Sequence, residues 1–338
     1  MKKLLLLILI IITNPANTQP PRGLPNYGCA CYFNAALQSL FTIHPLTTLL
    51  TSNPCNYTNA MIKDYCQLLP ALQTNSFSQK HKNFYTTTAA IMGGMGQQDV
   101  DEFFDAFLGQ IKKEPTLQNF AQRYLNYTLD LSLICPAESF SATPEQLKRI
   151  REFKNDEINK HKNIFRLPLK TTLKESFKAF FEQKTSTNPL LKDCTEQFKL
   201  SKAPTVLFIA FYRFNDDGSK ISTPIQIPLS FKASEYLNSK NPELYELTAA
   251  LIQQGSSSGG HYTAYVKQDN QWFYCNDSIV TPTNDLSGIS NGYAYIYQIK
   301  PSPKPPTQEE KKLFSSLNNL KKSLNDLQNK LQSTSKIK

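Results

Sequence analysis

Apolar residues recur at two different periods along this chain. Between about residues 22 and 125 the period is helical. Val100, Phe103, Phe104, Phe107, Leu108 and Ile111 stand at i, i+3, i+4, i+7, i+8 and i+11, the pattern of one apolar face on an amphipathic helix. Apolar positions 33, 36, 37, 40 and 41 mark a second such face, on a helix that continues from Cys31 to Phe41. From about residue 203 the period shortens. Thr205 to Phe214 is β-branched and aromatic and ends at Asp216-Asp217-Gly218, which predicts a strand followed by a hairpin turn. Ile225-Gln226-Ile227 predicts a strand fragment. His261–Lys267 and Gln271–Cys275 predict two strands joined across Asp269-Asn270, and Tyr293–Ile299 closes the set. Helices first and antiparallel strands later predict an α+β fold with its site where the two halves meet.

The flanks and one insertion read differently. Residues 144–165 are polar and basic with a weak helical pattern, as in an exposed excursion. Pro301 to Pro306 predicts a stiff extended linker. Beyond it, leucines at 313, 317, 320, 324, 327 and 331 form a short heptad seam on a basic tail helix, 307–338, suited to docking on a partner or to self-association. At the other end, Lys2 and Lys3 precede a nine-residue apolar run from Leu4 to Ile12. Nine residues are too few to cross ~30 Å of hydrocarbon, so residues 1–18 are expected to be a signal peptide, with export of the mature protein and no membrane span in it. The expected catalytic domain is then 19–300.

Composition adds little to this picture. The 338 residues, 40% hydrophobic, suffice for a real core. The net charge of +10 loses two charges with the leader and five with the tail, which leaves about +3 on the folded part. No nucleic-acid motif accompanies it, so no nucleic-acid partner is expected. Seven cysteines (29, 31, 55, 66, 135, 194 and 275) include no Cys-x-x-Cys pair, so neither a metal site nor any other cofactor is expected. The odd count is consistent with a free reactive thiol, and export would permit a disulfide such as Cys55 with Cys66. His44, His81 and His161 lack catalytic context and read as solvated or structurally satisfied.

Chemistry concentrates in two distant runs. Cys31 follows the glycine-bearing turn Asn26-Tyr27-Gly28-Cys29-Ala30 and opens a helix. His261 begins a strand after the loop Gly255 to Gly260, which is expected to be mobile. A thiol at a helix N-terminus, with a histidine beside it to favour the thiolate, is the arrangement of a cysteine protease. A third group must orient the imidazole, and Asn276 and Asp277, at the end of the next strand, are both candidates.

Taken together, these runs resemble the ubiquitin-specific proteases, a large papain-like family of deubiquitinating enzymes. That family's cysteine box, Gly-Leu-x-Asn-Leu-Gly-Asn-Thr-Cys-Tyr-x-Asn, is matched in register by Gly23, Leu24, Asn26, Gly28, Cys31, Tyr32 and Asn34. Its Gln-Gln-Asp-x-x-Glu-Phe block is Gln97 to Phe103, and its late Pro-x-Val-Leu strand is Pro204 to Phe214. Its Gly-His-Tyr-x-x-Tyr box is Gly260 to Tyr265, followed by Trp272 to Val280 and Ala294 to Tyr297. The resemblance implies a papain-like fold with a helical thumb, an antiparallel β palm and fingers that hold ubiquitin or a ubiquitin-like protein. It further implies that the Gly-Gly tail of that substrate threads between Cys31 and His261. By position Gln97, Asp99, Glu102, Gly260 and Tyr262 would bind the tail, whose arginines need acidic or acceptor partners.

Departures from the family pattern refine the expectation. Cys29 replaces the asparagine that normally donates to the oxyanion, and losing one such donor typically costs on the order of 10²–10³ in rate. Backbone N–H groups near Cys31 are left to carry that role. Isolated Cys135 and Cys194 stand where the family has paired zinc ligands, so the fingers are expected to be reduced and held by packing. The expected function is a thiol hydrolase that releases ubiquitin or a ubiquitin-like protein from conjugates, delivered by export into a eukaryotic host cell. A catalytically weak ubiquitin-binding module and a general secreted peptidase are the alternatives.

Overall fold

The computed structural model describes residues 20–52, 56–74, 76–134, 163–185, 194–237, 242–257 and 259–300, with isolated positions between 143 and 149. The leader, the proline linker, the tail helix, Cys55, Cys135 and His161 lie outside the described residues.

The first half is helical, as the 3.6-residue period predicts. Helices α1 (Cys31–Phe41), α2 (His44–Ser52), α3 (Ala60–Ala71), α4 (Phe77–Met92) and α5 (Val100–Lys113) follow one another. The six apolar positions predicted for α5 are all buried. Phe103 and Phe107 stack in parallel with ring centroids 5.9 Å apart, and Phe107 meets Tyr65 of α3 edge-on at 5.1 Å. Asp101 and Glu102 in the first turn of α5 and Lys112 and Lys113 in the last complement the helix dipole.

The second half is a sheet ordered β10-β9-β8-β7-β11-β5-β2, with β6 (Ser230–Lys232) paired to β7. Its strands are β2 (Phe165–Leu167), β5 (Val206–Phe211), β7 (Leu244–Ser256), β8 (Gly259–Gln268), β9 (Gln271–Asn276), β10 (Ile279–Thr283) and β11 (Ala294–Ile299). Both faces are covered, and alternation along each strand divides them. Phe208, Ala210, Ala264, Val266 and Ile296 join the helical core. Leu207, Ile209, Phe211, Tyr295 and Tyr297 join a second core under α6 (Leu173–Phe181). A central strand buried on both faces must be apolar throughout, and all six residues of β5 are buried. A separate three-stranded sheet, β1 (Thr128–Ile134), β4 (Thr195–Lys202) and β3 (Lys184–Thr185), forms the fingers.

The α+β architecture agrees with expectation, and several local readings need correction. The sheet is antiparallel except for β2, which lies parallel to β5. Phe165 therefore belongs to the sheet and not to an exposed excursion, and it is buried against Tyr127 at 4.3 Å. Ile225-Gln226-Ile227 makes only an isolated bridge, Gln226 with Thr172, the residue before α6. The longest strand, β7, answers to no prediction: 244–248 alternates, but 249–253 is buried without a break. The segment 255–260 is not an open loop. Gly255 pairs with Gly260 and Ser256 with Gly259, closing a tight β7–β8 hairpin. Gly255 has φ +113°, and a Cβ there would stand 2.6 Å from the Gly259 carbonyl oxygen, so the hairpin requires glycine. The β8–β9 turn matches prediction, with Asp269 and Asn270 at φ 47° and 66°, as a type I′ hairpin needs. Cys194 is disulfide-bonded, so a covalent link adds to packing in the fingers, and Cys66 is disulfide-bonded as well.

Candidate active site

The turn before α1 is organised by one side chain. Oδ1 of Asn26 accepts from the backbone N–H groups of Gly28 (2.9 Å) and Ala30 (3.0 Å), which winds the chain into the helix start. No side chain caps α1. Cys31 is the first helical residue and is buried as a free thiol. The backbone N–H groups of Tyr262, the neighbour of His261, of Tyr32 and of Cys31 itself lie beside the thiol and favour its charged form. The two distant runs therefore meet. Burial is the largest influence on the thiol and pushes its pKa up; the Tyr262 N–H opposes this, and the Asp277 charge adds to it. Desolvation thus outweighs the donors that a helix N-terminus brings to the thiol.

Asn276 and Asp277 have different tasks. Nε2 of His261 lies 2.7 Å from Oδ1 of Asn276 and donates to it, since a side-chain amide oxygen only accepts. That hydrogen bond leaves Nδ1 of His261 as the basic nitrogen. Asp277, at φ 49°, turns away and binds the cysteine segment. Its Oδ2 accepts from Asn26 Nδ2 at 2.8 Å, its Oδ1 from Asn34 Nδ2 at 2.7 Å, and its backbone oxygen from the N–H of Leu24 at 2.8 Å. Gly23 lies so close to this turn that a Cβ would stand 2.1 Å from the Ser278 oxygen. Of the two candidates, Asn276 orients the imidazole, and Asp277 ties the imidazole's strand pair to the nucleophile's helix.

The predicted substrate-binding positions surround the same point. The amide of Gln97 pairs with the backbone of Gly260 in both directions, donating from Nε2 at 2.9 Å and accepting at Oε1 at 2.8 Å. Tyr262 donates its hydroxyl to Asp99 at 2.5 Å. Burial holds the Asp99 carboxyl above its ordinary range, against the Tyr262 hydrogen bond. Burial first, then the charges of Asp99 and Asp101, raise Glu102 in the same direction. Arg166, from β2, is engaged by Asp101 at 2.9 Å and by Asp105. Asp99 and Glu102 thus form no ion pair among the described residues. Cys29 is a half-buried free thiol.

Residues 22–298 match the family model described as ubiquitin carboxyl-terminal hydrolase. The chain belongs to that family. It is 26% identical over 310 residues to ubiquitin carboxyl-terminal hydrolase 36 of Drosophila mojavensis, across 81% of this chain and 26% of the relative. It is 37% identical over 112 residues to human ubiquitin carboxyl-terminal hydrolase 3, across 30% of this chain and 21% of the relative. Among solved structures, a chain of the SAGA DUB module Ubp8/Sgf11/Sus1/Sgf73 bound to monoubiquitin shares the fold. It has TM-score 0.66 and 20% identity, over 89% of this chain and 76% of that one.

Within this hydrolase-family chain, sequence reasoning missed four side chains of the site's scaffold. Asn26 and Asn34 were visible as matches to the cysteine box, without their roles. His81 and Arg166 carried no signal, because their partners lie 47 and 61 or more positions away. Burial of the nucleophile yields a prediction. Alkylation of Cys31 by iodoacetamide, followed by mass spectrometry in a Cys29→Ser background, should keep accelerating above pH 9. A rate already level below pH 8 would mean that the histidine holds a preformed thiolate.

Proposed function

We propose that this chain is a thiol-dependent deubiquitinase that hydrolyses the bond after the C-terminal glycine of ubiquitin, or of a ubiquitin-like protein, on its conjugates. The observation that carries this reading is the convergence of the Cys31 thiol on the Tyr262 backbone N–H, beside a His261 oriented by Asn276. His261 Nδ1 takes the thiol proton as Cys31 attacks the glycine carbonyl. The imidazolium then returns the proton to the departing lysine amine, leaving a thioester. Water, activated by the same nitrogen, hydrolyses the thioester and regenerates the thiol. The uncapped start of α1, with the N–H groups of Cys31 and Tyr32 beside the thiol, supports an oxyanion site despite the loss of the usual donor at Cys29. Asp99 and Glu102, without an ion-pair partner among the described residues and beside an already committed Arg166, suit a cationic substrate tail.

A ubiquitin C-terminal fluorogenic amide tests the activity. Turnover should vanish in Cys31→Ala and fall on the order of 10²-fold or more in Asn276→Ala, where the imidazole loses its orientation. Binding of ubiquitin without turnover in the parent chain would instead favour a ubiquitin-binding module, the reading that Cys29 and the raised Cys31 thiol support. Cleavage of short peptides but not of ubiquitin would favour a general peptidase. In the same assay, Asp99→Asn with Glu102→Gln should raise KM at least about tenfold while changing kcat little, as loss of ground-state binding predicts. An unchanged KM would remove these two carboxylates from the substrate channel.

We further propose that the enzyme is exported, by a bacterium acting on a eukaryotic host. Supporting this are the dilysine and apolar run of residues 2–12 and the oxidised state of Cys66 and Cys194, which is rare in reducing compartments. A reporter fused after residue 20 should leave the bacterial cytosol with residues 1 to about 18 removed, read by N-terminal mass spectrometry. An uncleaved cytosolic fusion would sink the export reading and leave the activity untouched.

A further inference from the structure

Behind the Cys31 turn runs a buried polar chain that the catalytic steps do not use. His81 on α4 is 0% exposed and packs against the rings of Tyr27, Phe33 and Phe77. An imidazole in such a place is tolerated only if both nitrogens have partners. Nε2 lies 2.9 Å from Oδ1 of Asn34, and Nδ1 lies 3.0 Å from the Tyr27 hydroxyl.

The direction of these hydrogen bonds follows from the far end of the chain. A carboxylate only accepts, so the group that Asn34 turns to Asp277 must be its Nδ2, at 2.7 Å. The same nitrogen also reaches the Pro25 carbonyl at 3.1 Å. The amide oxygen of Asn34, 2% exposed, therefore faces His81. Nε2 of His81 must carry the hydrogen, and Nδ1 accepts from Tyr27, whose hydroxyl also lies 3.2 Å from the Ser78 carbonyl. Tyr27, Phe33, Asn34 and Phe77 carry no charge. Burial holds the imidazole pKa down at about 4, so the same tautomer persists across the neutral and mildly acid range.

We propose that His81 is a positioning residue for the catalytic set: its Nε2–H locks the Asn34 amide with nitrogen toward Asp277, and so holds the turn carrying Asn276 against the helix carrying Cys31. Without that donor the buried amide oxygen loses its partner, and only the contacts of Nδ2 with Asp277 and the Pro25 carbonyl are left to hold the amide. Asp277 is the next residue after Asn276, and its charge already bears on the Cys31 thiol. A loosened turn therefore disturbs both the orientation of His261 and the titration of the nucleophile. The proposal rests on reading Cys31, His261 and Asn276 as the catalytic set.

Three substitutions separate a lock from a filler. In His81→Gln the amide nitrogen stands near the place of Nε2 and can donate to Asn34. In His81→Asn it stands near Nδ1 and cannot. His81→Leu removes both hydrogen bonds at similar volume. With the ubiquitin fluorogenic amide, Leu and Asn should lower kcat by about 10²-fold, the cost of a misplacement of order 1 Å, with KM within about twofold. Gln should recover to within a few-fold of the parent. The pH dependence of Cys31 alkylation should shift in Leu and Asn and not in Gln. Full kcat in Leu or Asn would overturn the proposal. So would an equal loss in all three with the Cys31 titration unmoved, the mark of a merely structural residue. If Leu does not fold, the Gln–Asn contrast decides by itself. Turnover surviving in Cys31→Ala would defeat the catalytic assignment and not the lock.

Discussion

The Asp277 carboxylate is the joint on which the rest of the site depends. Cys31 stands on a helix and His261 on β8, whose Tyr262, Ala264 and Val266 share the helical core, and the two must meet at its edge. Asp277 closes that gap with both oxygens, one on Asn26 and one on Asn34, while its backbone accepts from Leu24. Each of these contacts spans more than 240 positions of sequence. Charge-assisted hydrogen bonds of this kind are about twice as strong as neutral ones and directional, so they fix a distance and an orientation together. Gly23 is the steric counterpart, since only a residue without a side chain lets the two segments approach so closely.

Around that joint, the fold gives electrostatics an unusual balance. Sheet and helices bury Cys31 deeply enough that desolvation raises its pKa, and the N–H groups of Cys31, Tyr32 and Tyr262 only moderate the rise. The imidazole of His261 commits its Nε2–H to Asn276. Beside the site Arg166 is consumed by Asp101 and Asp105, and Asp99 and Glu102 form no ion pair among the described residues.

The sequence made some of this legible. Period 3.6 located α1 and α5, and Asp269-Asn270 announced its hairpin, because each signal lies within a few neighbouring residues. Cys31, His261 and Asn276 were readable because the chemistry requires those residue types next to turns and strand ends. The second half of β7 was not readable, since 249–253 is buried on both faces and shows no alternation. Nor was β2, a three-residue strand whose pairing with β5 reaches across α6 and the fingers.

By itself the sequence determined the class of fold, a candidate nucleophile and base in Cys31 and His261, and two candidates for the orienting group. Those properties depend on local composition and on chemical necessity. Only the tertiary structure decided between Asn276 and Asp277, turned the 255–260 segment from a loop into a hairpin, and made burial the ruling influence on the thiol. It also enlisted His81, a residue without any sequence signal, beneath the active site. Hydrogen-bond direction, desolvation and steric approach are properties of groups brought together in space, and no spacing along a chain encodes them.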